Sequence, residues 1–217
     1  MGGLASLAAA GGSNAGPGPA AWRELWLDAR WLKRAIALND PLLGFGKLLF
    51  AKAAPPSYSH LVMQYFGWRA RPGGGLFILE RPGRSLDARD LLQGALASGS
   101  VLAPCLSWDA TRVVFSFSRP ASKDSFFHLF EARLDGTGLR QLTSGEFEDL
   151  MPAYLPGGDI VFSSTRRKGY ARCFGPQFGE RWHVYTLHRL DPESGEIRTL
   201  SFHETNEWFP AVLPDGS

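Results

Sequence analysis

The side chains best suited to chemistry fall in two short stretches, "KGYARCFGPQFGERWH" (168–183) and "HETNEW" (203–208). In the first, Cys173 sits in a Gly-rich insertion between strands, where functional loops concentrate. Its nearest imidazoles are His183 and His188. The plain alternative is a loop cysteine packed as a small hydrophobe. In the second, His203 and Glu207 stand four apart, but a His-Glu-x-x-His zinc site needs a second imidazole that is absent here. Thr205 and Pro210 favour a loop over a helix. Glu204, Asn206 and Trp208 read best as ties between neighbouring repeats, with the indole filling the interface. A place just before a repeat's first strand also leaves a ligand role open for this stretch.

Other chemistries lack their motifs. No Gly-x-Ser-x-Gly turn is present to raise a serine nucleophile. "RPGGG" at 71–75 is followed by no Gly-Lys-Ser/Thr, so it reads as a tight turn rather than a phosphate loop. His60 and His128 stand alone, and the phenylalanines of "FSFS" recur at strand period, which marks core rather than a base-stacking platform. No catalytic residue is assigned.

Stepping out to the elements, "AWRELWLDARWLKRAIAL" has Trp22, Leu25, Trp26, Ala29, Leu32 and Ile36 at helical spacing. An amphipathic helix is expected over 21–40, after a tail at 1–20, and it should pack on its own domain. From Pro41 the period changes to short apolar runs bounded by Gly and Pro, the mark of buried strands. "APCLSWDATRVVFSFSR" and "MPAYLPGGDIVFSSTRR" repeat one pattern, and "FPAVLPDGS" begins it again. The equivalent prolines Pro41, Pro104, Pro152 and Pro210 are separated by 63, 48 and 58 residues, so the first unit carries an insertion.

Four short strands per unit of this length is the period of a β-propeller blade. The expected class is all-β: an incomplete propeller of about three four-stranded blades and the first strand of another. The units are placed at about 41–100, 101–149, 150–208 and 209–217. A blade has two apolar faces and hides them only against neighbours. A protein partner, or the remainder of a longer chain, is therefore expected to complete the ring.

Bulk properties narrow the partners. A net charge of +2 over 217 residues is too small to argue for nucleic acid or an anionic membrane as partner, and no nucleic-acid partner is expected. No run approaches the ~18 apolar residues of a membrane span. The two cysteines, Cys105 and Cys173, form no disulfide framework and read as free thiols, with a single bridge as the alternative. The N-terminus lacks the basic region and sustained apolar core of a secretory signal.

"LSWDATRVVFSFS", "YLPGGDIVFSS" and "LPDG" resemble TolB-type propeller repeats. More narrowly, "NDPLLGFGKLLF", "GWRARPGGGLFILE", "LPGGDIVFSSTRRKGYARCFG" and "LSFHETNEWFP" resemble the propeller (middle) domain of the hydrazine synthase alpha subunit family over about 39–217. The resemblance implies an extracytoplasmic, periplasmic setting and haem-bearing domains outside the propeller. This chain has no Cys-x-x-Cys-His for covalent haem. Where the family pattern reads Arg-Cys-His-Gly, a thiolate beside an imidazole that suits zinc, Phe174 replaces the histidine. Cys173 with His183 is the metal pair that remains. No cofactor is expected in this chain; haem or zinc would enter only with a larger haem-bearing relative.

Three functions follow. The preferred one is a non-catalytic propeller segment for interaction or scaffolding within a larger exported protein. The alternatives are part of a multihaem oxidoreductase of hydrazine-synthase type, and the propeller of a prolyl-oligopeptidase-like serine peptidase. "HETNEW" weighs against the last.

Overall fold

The computed structural model describes residues 18–44, 46–56, 61–120, 125–170, 182–213 and 215–216. They divide into two units, one of residues 1–48 and 79–88, the other of 49–78 and 89–217.

In the first unit, α1 (Pro19–Ala37) starts with proline at its first turn, where the missing N–H costs nothing and φ is already helical. It stops before Asn39 and Asp40, whose carboxylate caps the single turn Pro41–Leu43 by accepting from the Leu42 amide at 2.9 Å. No residue of α1 is buried. Trp22, Trp26, Leu32 and Ile36 are each more than half exposed.

The second unit is a stack of antiparallel sheets. The first has three strands, β1 (Leu48–Lys52), β2 (Gly75–Leu79) and β3 (Ala88–Asp90), whose terminal residues Leu48, Leu79 and Ala88 mark the unit boundary. The second runs in order β4 (Ser100–Leu106), β5 (Arg112–Ser118), β6 (His128–Arg133), β7 (Arg140–Gln141). The third follows as β8 (Asp149–Tyr154), β9 (Ile160–Ser164), β10 (Thr186–Leu190), β11 (Ile197–Thr199).

Period-two alternation explains why the sheets stack. Along β5, Val113, Phe115 and Phe117 enter a core with Leu76, Ile78, Leu91 and Leu96. Val114 points the other way, into a core with Leu129, Tyr154, Ile160, Phe162 and Leu190. The second sheet is thus apolar on both faces, and each fully buried Phe contributes about 1.5–3 kcal/mol. The acidic-glycine hairpin reads as expected, with Asp135 accepting from Thr137 N at 2.8 Å and Gly136 at φ 91°.

Two details depart from expectation. The first sheet has three strands rather than four among the described residues, because residues 91–98 turn and insert Leu91, Leu92 and Leu96 into the core. Residues 209–213, read as a first strand, pair with no strand among the described residues; in the preceding units that strand is zipped by the next strand of its own sheet. No helix of the described residues is long and apolar enough to cross a membrane.

Candidate functional site

Three of the four repeat prolines, Pro104, Pro152 and Pro210, share one geometry, whereas Pro41 opens the single turn Pro41–Leu43 and departs from the expected equivalence. Ala103, Met151 and Phe209, each just before its proline, all adopt left-handed φ (46°, 55° and 51°). At the first two the ladder slips, between Leu102 and Cys105 and between Leu150 and Ala153. A bulge at Pro104 and at Pro152 re-aims the strand. The segments 103–108, 151–154 and 209–212 together line a cavity of about 590 Å³.

Its walls are mostly apolar, and their polar groups are already engaged. Trp108 Nε1 donates to the Tyr154 carbonyl at 3.0 Å, joining the second and third sheets. The Tyr154 hydroxyl donates to Glu131 at 2.6 Å. Glu131, itself buried, also accepts from Arg112 at 3.3 Å and Arg140 at 2.9 Å. Burial first, then the Glu131 hydrogen bond and charge, push the Tyr154 hydroxyl far above its ordinary pKa, so it acts as a donor and not a base. Cys105 lies on the wall as a free, half-buried thiol. Such a cavity can hold apolar matter; it offers no paired nucleophile and base among the described residues.

The stretch 203–208 leads into Phe209, which lines this cavity, and the structure distributes its side chains unequally. Asn206 Oδ1 accepts from Tyr185 N at 2.9 Å. Glu207 accepts from Leu187 N at 3.2 Å and from Ser201 Oγ, while its carbonyl accepts from Ser163 Oγ at 2.8 Å. Trp208 stacks against both Tyr65 and Tyr185, ring centres 4.7 Å apart in each case. His203 is largely exposed and 3.6 Å from Glu207; its carbonyl accepts from Arg167 at 2.9 Å. Glu204 is exposed.

The preceding unit repeats this arrangement 58 residues earlier, at positions the sequence reading did not single out. Glu148 accepts from Phe127 N at 2.7 Å, as Asn206 does from Tyr185 N. Thr143 accepts from Leu129 N at 2.9 Å, as Ser201 does from Leu187 N at 2.8 Å. The signal available was position: Glu148 and Asn206 each stand four residues before a repeat proline. Glu148 adds a bond that Asn206 has no counterpart for, accepting from Gly67 N at 2.9 Å. Gly67 belongs to the expected insertion, and an added Cβ there would lie 2.6 Å from the Phe126 backbone. Only glycine lets the two chains approach this closely.

Beside Glu148, fully buried Asp149 accepts a fork from Arg166 at 2.9 and 2.7 Å and a bond from Ser164 at 2.7 Å, with His128 3.6 Å away. Burial alone would raise its carboxyl, but the neighbouring His128 ring and the bonds from Arg166 and Ser164 outweigh it and hold the pKa below the usual range. His188 is buried beside Phe162 and donates from Nδ1 to the Thr186 carbonyl, 2.9 Å away. Burial lowers its pKa.

Of the metal pair, Cys173 lies outside the described residues. His183 is half-buried in a bridge with Tyr170, its ring 5.0 Å from the phenol, and burial lowers its pKa. Among the described residues, no three of His, Cys, Asp and Glu gather as a metal site.

No family model matches the chain, and no curated protein matches it. Solved structures do. Hydrazine Synthase of Kuenenia stuttgartiensis is similar over 79% of this chain and 27% of its own, with a TM-score of 0.56 and 17% identity. A putative TolB from Agrobacterium tumefaciens is similar over 77% of this chain and 47% of its own, with a TM-score of 0.50 and 16% identity. Both likenesses are likenesses of fold. The chain has the β-propeller fold, as its sequence resemblance implied, and spans about a quarter and about half of these two proteins. Puromycin hydrolase follows at a TM-score of 0.48 and 18% identity.

Proposed function

We propose that this chain is a non-catalytic propeller segment that acts as an interaction scaffold, its stack of sheets completed by further blades. The observation that carries the reading is the engagement of the side chains suited to chemistry. Glu131, Glu148, Asp149, Asn206 and Glu207 hold backbone amides, hydroxyls or arginines of neighbouring strands, and Tyr154 is fixed as a donor. These groups position sheets against one another rather than facing an open pocket. Continuation of the stack is supported by residues 200–213, which repeat the start of the preceding unit yet leave Leu200, Phe202, Phe209 and Leu213 at least half exposed. The likeness to Hydrazine Synthase, at 17% identity, lends fold and no catalysis to this reading.

The test is thermal unfolding of the isolated 217-residue chain, with its mass in solution measured by light scattering. The reading expects a broad transition or self-association, because a stack with an open apolar end has lost a neighbour's contribution. A sharp, reversible transition of a monomer would refute it.

A further inference from the structure

The apolar stripe of α1 has a charge pattern that names what it fits. At 100° per residue, Trp22, Leu25, Trp26, Ala29, Leu32 and Ile36 fall within an arc of roughly 120°. Trp22 is 55% exposed, Trp26 57% and Ile36 69%. Lys33 falls inside this arc, between the directions of the two tryptophans. Arg23, Arg30 and Arg34 line the flank beside Trp26, while Glu24 falls roughly 160° from both tryptophans and Asp28 borders the opposite flank beside Leu32, roughly 120° from Trp22. The Arg30 guanidinium lies 5.0 Å from the centre of the Trp26 ring, so a cation rides on the edge of the stripe.

The chain's charge is concentrated here. The helix holds four basic and two acidic side chains, and the other 19 basic and 19 acidic residues cancel. The net +2 that is negligible over 217 residues is therefore the charge of one exposed helix. Indoles favour the boundary between water and hydrocarbon, long basic side chains reach from there to the headgroups, and each cation beside an anionic surface is attracted to it. We propose that α1 is an interfacial helix that seats this chain on an anionic lipid surface, with its indoles at headgroup depth.

The experiment is flotation of the full chain with vesicles of phosphatidylcholine alone or with about 30% phosphatidylglycerol. Binding should be at least about tenfold stronger to the anionic vesicles and weaken in about 0.5 M NaCl. Trp22→Glu with Trp26→Glu should abolish it; both positions are exposed, and circular dichroism verifies that the sheets persist. Arg23→Glu with Arg30→Glu keeps the stripe and should remove the preference for phosphatidylglycerol. Failure to float with anionic vesicles, or flotation indifferent to both pairs of changes, overturns the proposal. So does a concentration-dependent dimer that the tryptophan pair abolishes without any flotation, since the stripe would then meet a second copy.

Discussion

Asp149 shows what a single carboxylate does in a stack of sheets. It is fully buried, and its oxygens satisfy both arms of the Arg166 fork and the Ser164 hydroxyl. Asp149→Asn keeps the shape but leaves a partly buried guanidinium without its counter-charge. A loss of about 3–5 kcal/mol is expected in urea unfolding, since breaking one half of a buried pair strands the other. Because the folded pKa of Asp149 is depressed, its contribution is complete above the unfolded value of about 3.9 and fades as pH falls further. His188 acts in a higher window. Its folded pKa is lowered by burial, so the unfolded chain takes up the proton first and stability falls as pH drops below about 6.5. Melting between pH 7.5 and 5.5 should show this decline, and His188→Asn should reduce it, the remainder coming from His183, whose pKa burial also lowers. None of this was legible in the sequence. Asp149 and Arg166 are 17 residues apart and meet only because β8 and β9 pair, and Glu148 hid its equivalence to Asn206 by presenting a carboxylate where the later unit has an amide.

At the scale of elements, the strands were the most readable part. The alternation of Val113, Phe115 and Phe117 against Val114 follows from the pleat alone, and the structure sends the two sets into different cores. The bulges were not readable, because a left-handed residue before proline carries no compositional mark when it is Ala, Met or Phe. They are nevertheless testable. At Ala103, φ 46° suits glycine, so Ala103→Gly should change stability by less than about 0.5 kcal/mol, the relief of strain offsetting the freer unfolded chain. Ala103→Val should cost more than about 1 kcal/mol, since a β-branched side chain resists that conformation. The expected insertion has a stapling role that spacing alone did not reveal. Its Gly67 donates to Glu148, and its Phe66 packs edge-on against Trp182 and Tyr185. Gly67→Ala should cost about 1–3 kcal/mol in the same urea assay, because the new methyl meets backbone that cannot swing aside.

At the scale of the whole stack, stability is a sum over sheets and the contacts between neighbours. The strands with a sheet on either side should therefore be the last to open. In native-state hydrogen exchange, amides of β5, buried along nearly its whole length, should be protected longer than those of β11. Equal protection would mean that the sheets open together and that the additive picture fails. The recurrence of one hydrogen-bonding post 58 residues apart has another consequence. Glu148 and Asn206 hold the equivalent backbone amide in successive units, one through a carboxyl side chain and one through an amide. The post is fixed by geometry, while its charge is open to choice. A lineage of such chains can thus retune the electrostatic potential along the stack, blade by blade, without redrawing a single strand.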